Sequence, residues 1–452
     1  MAIVGAFMVP HPPLIVHEVG NGREEQIKTT KESYERIADE IAALNPETII
    51  ISSPHTSYYN DYFYISTGEI AEGDFSKFGA SNVSFKEEID KELVDEIASI
   101  ARESNFPAGP TKVVPLDHGT MVPLYFIRKK LPKTKLVVVG LSTLPLTDNY
   151  SFGIIIKQAV NNLKRKVVFV GSGDLSHKLQ EDGPYGFIKE GPIYDDKIMK
   201  TMSKANFNEL LEYDEEFLDK AAECGHRSFT IMAGALDGVV VTPTFLSHED
   251  VTGVGYGLCT FYPKGFDRER CFLEKYLDKF IVKESDDEYV KLAVKSLTSW
   301  ITNKKRLSVP PGLPEEMLNK KAGVFVSIHE FHELRGCIGT FLPTTNSIAE
   351  EIISNAIAAS TRDPRFEPIS EKELPFLEVN VDVLTTPEPT TKEKLDPKKY
   401  GVIVRQGEKR GLLLPDLEGI DDVDTQIRIA KSKAGITNGE VELERFEVIR
   451  HK

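Results

Sequence analysis

The chain is poor in the residues that staple small folds. Only four cysteines occur in 452 residues, at 224, 259, 271 and 337, and no two form a CxxC pair. That argues against a disulfide framework or a zinc knuckle, and makes a reducing cytoplasm the expected location. Basic residues are also short: 55 Lys and Arg against 70 Asp and Glu leave a formal charge of −15. Neither a nucleic-acid backbone nor an anionic membrane surface rewards that balance. No apolar run approaches the ~18–20 residues that span a bilayer. The opening MAIVGAFMVPH has no basic stretch and no small-residue cleavage site, so no signal peptide is expected. Histidine is scarce, ten in all, which makes its placement informative.

What is present is a globular composition, 40% apolar and 28% charged, at a length that predicts two or three domains. Through about residue 263, helical and strand patterns alternate. Ala2–Val9, Thr48–Ile51, Leu136–Val139 and Val167–Val170 read as buried strands. Apolar residues at helical spacing predict helices over Glu24–Leu44, Lys86–Arg102 and Tyr150–Leu163. This alternation predicts an α/β domain with a mostly parallel or mixed sheet and flanking helices. Beyond 264–270 the pattern changes. Residues 267–306 read as helical and the turn SVPPGLPEE follows. Strand-like runs cover Gly323–His329 and Glu378–Leu384, and Val402–Arg405 with Gly411–Leu414 predict a hairpin. A second, α+β domain is therefore expected over 270–452.

Three histidines stand just past a predicted strand, on its carboxyl side. His11 lies in MVPHPP, where prolines stiffen the backbone on both sides. His55 ends TIIISSPH, and His177 ends VVFVGSGDLSH, which also contains Asp174. In a parallel sheet such ends gather on one edge, where these folds bind ligands. A fourth, His118, sits in PLDHGT before a helix start. One histidine at a strand end is more often a hydrogen-bonded loop residue. Three on one edge make a candidate metal cluster. Neutral imidazoles with a carboxylate suit Fe(II), Mn(II) or Zn(II). The carboxylate candidate is Glu223 in AAECGHRSFTIMAGAL, whose other reading is a helix N-terminal charge. GSGDLSH lacks the P-loop lysine and the full GxGxxG spacing, so it is a weak nucleotide signal. Without a GxSxG elbow, a hydrolase built on Ser172 or Ser176 is equally weak. His17, His226, His248, His329, His332 and His451 read as surface or satisfied residues.

MVPHPPLI, SSPH, LDHGTMVPLYFI, GSGDLSH and ECGHRSFTIMAGAL, in this order, resemble the class III extradiol ring-cleavage dioxygenases and the related Memo proteins. The resemblance covers about residues 1–263. It implies His11 and His55 as imidazole ligands of Fe(II), with Zn, Mn or Cu as alternatives. It implies Glu223 as the carboxylate ligand, His177 as acid/base, and His118 as a second histidine near the substrate. Memo proteins carry a cysteine at the position of Cys224 and no glutamate before it. This chain has both, so the resemblance leaves two third ligands, Glu223 for a dioxygenase-like iron site and Cys224 for a Memo-like, copper- or iron-binding redox site, with Glu223 the expected one. The implied activity is oxidation of a catechol-like or chelating aromatic by O2, with a homodimer suggested by analogy.

Over about 270–452, LRGCIGT (334–340), DPRFEPIS (363–370), LEVNVDVLTTPEP (377–389) and GLLLPD (411–416) resemble an AMMECR-type domain. Within LRGCIGT, Cys337 and Arg335 are candidate site residues: a thiol between glycines, and an anion binder. The other reading of Cys337 is a structural cysteine in a glycine-shaped strand. The fusion resembles that of the AmmeMemoRadiSam system, whose genes accompany a radical-SAM protein. It leaves open a second class of function: a non-catalytic or redox metal-binding, partner-recognition module.

Overall fold

The computed structural model describes residues 2–417 and 419–452. The chain divides into two compact units, Met1–Asp278 and Lys279–Lys452. The first contributes strands β1 (Ile3–Val9), β2 (Thr48–Ser53), β3 (Phe63–Ile65), β4 (Ile70–Phe75), β5 (Ala80–Glu88), β6 (Ala108–Pro110), β7 (Lys135–Gly140), β8 (Val167–Ser172), β9 (Val239–Glu249) and β10 (Tyr256–Phe266). Eight of them form one sheet in the order β6-β3-β7-β2-β8-β1-β10-β9. The centre, β7-β2-β8-β1, is parallel, while β10 and β9 add antiparallel on one side. β2 and β8 are buried at every position, as a strand covered on both faces must be. The expected α/β domain is therefore present, with a mixed sheet.

Helices cover the sheet in two groups. Lys28–Leu44 packs against His118–Lys130, with Tyr34 stacked on Phe126 at 4.5 Å. In the other group Leu146–Asn162 crosses His226–Ala235 so closely that a Cβ on Gly153 would lie 2.0 Å from the Ile231 carbonyl oxygen. That close approach seats the helix starting at His226 on the sheet.

β4 and β5 form a separate antiparallel hairpin. The helix expected from Lys86 therefore begins only at Lys91, where Asp90 caps it by accepting from the Leu93 N–H. Lys86, Glu87 and Glu88 fit helical spacing as well as a strand; in β5 Lys86 and Glu88 are exposed while Glu87 turns inward to pair with Arg128. The helical stretch expected over 267–306 is broken. Phe272–Asp278 and Glu288–Asn303 are separate helices, the second capped by Asp287. Phe272, Leu273 and Tyr276 pack on the first core, which carries that unit past residue 263 to Asp278.

The second unit is α+β. β11 (Val324–Glu330), β12 (Glu333–Thr340), β13 (Leu377–Leu384), β14 (Glu388–Thr390), β15 (Gly401–Gln406), β16 (Lys409–Leu413), β17 (Glu442–Phe446) and β18 (Val448–His451) form two antiparallel sheets, β12-β11-β13-β18 and β14-β17-β15-β16. Glu288–Asn303 and Ile348–Thr361 share a core with the first of these sheets. No helix among the described residues is long and apolar enough to cross a membrane.

Candidate metal centre

The parallel strands β1, β2 and β8 end at Val9, Ser53 and Ser172. Two residues beyond each stand His11, His55 and Asp174. Because β8 lies between β1 and β2, side chains past its neighbours' ends meet across it. His11 and His55 bring their Nε2 atoms to 3.0 Å. His118 completes a trio of imidazoles whose nitrogens lie within 4.8 Å of one another. It is the first residue of helix His118–Lys130, and Asp117 caps that helix. Asp117 also accepts from the Ser53 hydroxyl at 2.6 Å, which ties the helix start to the end of β2. Gly119 allows the approach, since a Cβ there would lie 2.4 Å from Ser53 Oγ. The His55 and His118 rings stack at 4.1 Å, and Phe78 meets the His118 ring at 5.3 Å.

A second grouping shares His11: Asp174 and Cys224 lie with it inside the same limit. Cys224 Sγ is 3.5 Å from His11 Nε2, and the Asp174 N–H donates to that sulfur at 3.3 Å. Two glycines bring these loops together. A Cβ on Gly173 would lie 2.0 Å from Gly225 Cα. Asp174 Oδ1 also accepts the His11 N–H at 2.7 Å.

Hydrogen bonding fixes which nitrogen of His11 is free. The Ser172 hydroxyl donates to the Gly119 carbonyl at 2.5 Å. Its oxygen then accepts from His11 Nδ1 at 3.0 Å. The Nδ1 of His11 therefore carries the proton and Nε2 presents a lone pair, as an outer partner of a metal-ligating histidine does. Burial first, then the neighbouring His55, His118 and His177, holds the His11 pKa well below its usual value. Burial and His55 push His118 down to about 3, and burial lowers His55 as well. Each shift favours the uncharged ring, the form that offers a lone pair to a metal. At 3.0 Å apart, two such nitrogens suit one ion about 2.0–2.1 Å from each.

The remaining sequence candidates are placed differently. Glu223 stands outside both groupings, its carboxylate accepting the His226 N–H at 2.5 Å at the start of helix His226–Ala235. Burial raises it to about 7. Cys224, next in the chain, is the one turned to His11, and burial with Asp174 and Glu223 pushes its thiol up. His177 bonds through Nδ1 to the Ala222 carbonyl. A carbonyl only accepts, so Nδ1 carries the proton and Nε2 is the basic nitrogen. His177 acts electrostatically on both His11 and His55.

Two cavities open on the cluster. The larger, about 980 Å³, is bounded by His55, His118, Met121 and the β4–β5 hairpin residues Lys77, Phe78 and Phe85. The smaller, about 310 Å³, is lined by His55, Tyr58, Glu223, Cys224 and Arg227. Nothing in the sequence marked Ser172 as the partner that orients His11, or the hairpin as a cavity wall. The small hydroxyl residues that end β2 and β8 were the available signal.

Residues 5–259 match the family described as the catalytic LigB subunit of aromatic ring-opening dioxygenase. The chain belongs to this family. Residues 290–451 match AMMECR1, so a LigB-type domain is fused to an AMMECR1 domain. The protein CA_C1420 of Clostridium acetobutylicum has the same extent, 42% identical over 100% of both chains. A Thermotoga maritima protein is 51% identical over 36% of this chain and 97% of its own. The structure of an uncharacterised protein, PH0010 of Pyrococcus horikoshii, covers 36% of this chain and 88% of its own, at 29% identity and a TM-score of 0.33.

The AMMECR1 domain holds the other two candidates. Cys337, on β12, receives the Ser327 hydroxyl at 3.2 Å, and its N–H donates to Asp363 at 2.9 Å. Arg335 is engaged by Glu373 at 2.7 Å and by the Glu367 carbonyl at 2.8 Å.

Proposed function

We propose that the LigB-type domain is a non-haem metal oxidoreductase that opens catechol-like aromatic rings with O2. The observation that carries this reading is the meeting of three imidazoles from two strand ends and one helix start. The free nitrogen of His11 is turned into that cluster. In this reading His11 and His55 hold Fe(II), and Cys224 rather than Glu223 is the third protein ligand, because its sulfur already lies beside His11 Nε2. Bound Fe(II) would acidify a chelated catechol and bring O2 beside the ring. His177 takes the second phenolic proton on Nε2 and returns it as the ring opens. His118 and Phe78 form the wall against which the aromatic lies. The larger cavity is ample for one ring.

Anaerobically Fe(II)-loaded protein should consume O2 with at least one member of a catechol panel. His177→Ala should keep its iron and lose ~10²–10⁴-fold in turnover. Cys224→Ala should lose iron, and Glu223→Gln should keep it. Metal binding without O2 uptake across the panel would favour the second reading, a Memo-like redox or partner-binding centre. The thiol beside His11 is the observation that supports that alternative, and a radical-SAM protein is the partner it proposes.

A further inference from the structure

His177 hangs from a short loop, Gly173–Lys178, whose backbone is held by a buried carboxylate from elsewhere in the chain. Asp195 lies on helix Glu190–Lys204 and its side chain is 2% exposed. Oδ1 accepts the Ser176 N–H at 2.9 Å, one residue from His177. Oδ2 receives His248 Nε2 at 2.8 Å. His248 stands on β9, opposite Gly257 of β10. The fit leaves no slack: a Cβ on Gly255 would lie 1.9 Å from Asp195 Oδ2. Gly255 in turn brackets the loop, accepting from the Leu175 N–H at 2.9 Å and donating to the Ser176 carbonyl at 2.8 Å. On the far side the Ser176 hydroxyl donates to the Ala221 carbonyl at 2.8 Å, and the next carbonyl, of Ala222, holds His177 Nδ1.

A carboxylate buried this deeply is costly unless its oxygens are satisfied. Here one oxygen is spent on the backbone of the loop and the other on an imidazole from the sheet edge. We propose that the Asp195–His248 pair is a positioning device for His177. It fixes the turn at Ser176 so that His177 Nδ1 faces the Ala222 carbonyl and Nε2 is left free on the side of the cluster. Asp195 touches neither the cluster nor its cavities and acts only through the loop.

The assignment of a proton-transfer role to His177 rests on the function proposed above, but the positioning itself can be read without turnover. In full-length, metal-loaded protein labelled with 15N-histidine, long-range proton–nitrogen spectra should show His177 as one tautomer, protonated at Nδ1. Asp195→Asn and His248→Ala should each convert it to a mixture of tautomers, leaving metal stoichiometry and the His11 pattern unchanged. His248→Gln, which keeps a donor toward Asp195, should restore the single tautomer. O2 uptake should then fall about tenfold or more in kcat with little change in KM for Asp195→Asn and His248→Ala, and recover in His248→Gln. A His177 signal unchanged in both Asp195→Asn and His248→Ala overturns the proposal. His248 is a quarter exposed, so its variants test the positioning even if the Asp195 variant fails to fold. Tautomer mixing in these variants of a parent protein that consumes no O2 would support the positioning and strike only the oxidoreductase reading.

Discussion

The two domains each carry a cysteine-bearing motif in a glycine-shaped setting, and they use it in opposite ways. Around Cys224, two ring nitrogens, His11 Nε2 and His55 Nε2, face one another beside a thiol whose sulfur takes the Asp174 N–H. Around Cys337 the polar groups close on each other. Asp363 accepts from the Cys337 N–H, the Arg365 N–H and two guanidinium nitrogens of Arg365, at 2.7 to 3.1 Å. Arg335 is likewise spent on Glu373 and the Glu367 carbonyl. Unspent lone pairs in a buried place mark chemistry, whereas spent ones mark architecture.

The largest effect that separates the two is metal content. His11→Ala should reduce bound Fe(II) from about one per chain to near none by elemental analysis, because it removes the nitrogen common to both groupings. Asp363→Ala should leave metal content unchanged. Its cost should appear as stability, about 1–3 kcal/mol in the denaturant transition of the second unit, since it abandons a backbone N–H and a guanidinium at once. Loss of iron in Asp363→Ala would mean that the domains are coupled through that motif.

Acid sharpens the contrast further. Glu351 is fully enclosed and accepts from Thr340, Thr344 and Thr345. Burial raises its pKa, but those hydrogen bonds outweigh it and carry the carboxyl below its usual value. The Arg365 pair, with the Cys337 and Arg365 N–H groups, holds Asp363 well below the usual carboxylate range too. A depressed folded pKa contributes stability above the unfolded value of ~4.3 for Glu, and that contribution is lost as pH falls through the folded value. The second unit should therefore lose stability progressively below about pH 4.3. Glu351→Gln should be less stable at neutral pH and show a flatter acid limb in urea midpoints measured from about pH 7 to about pH 3. An acid limb as steep in Glu351→Gln as in the parent would assign the loss to other carboxylates.

The same contrast explains what the sequence could and could not say. Strands that end in MVPH and ISSPH are visible because an apolar run stops at a stiff or polar residue, so the edge location of His11 and His55 follows from topology. Glu223 and Cys224 are adjacent in the chain, and spacing cannot say which side chain turns toward His11. That is set by Ala222, which adopts a left-handed φ of 52°, and by the contact of Gly173 with Gly225. His248 reads as an ordinary surface residue in sequence, because its partner Asp195 is 53 positions away. The β4–β5 hairpin was hidden by Lys86–Glu88, whose charges fit a helix as readily as a strand, because the Arg128 that pairs with Glu87 lies 41 positions away. Long-range pairing, rather than local propensity, carries the information that was missing.

The smallest expected effect is at the thiols themselves. Cys259 is fully buried, and burial pushes its thiol up to about 12, so it should resist alkylation at neutral pH until the protein unfolds. Cys337 is half-buried on a sheet face, with the Ser327 hydroxyl on its sulfur, and should react slowly in the folded protein. Cys337→Ser should shift stability by no more than about 1 kcal/mol, because a hydroxyl can take the place of the thiol beside Ser327. Fe(II) should slow the modification of Cys224, which lies beside His11, and leave the rate at Cys337 unchanged, as peptide mapping after timed iodoacetamide treatment would read. Protection of Cys337 by iron would erase the distinction between the two motifs, because it would require a metal-dependent change at a group whose polar neighbours are already satisfied.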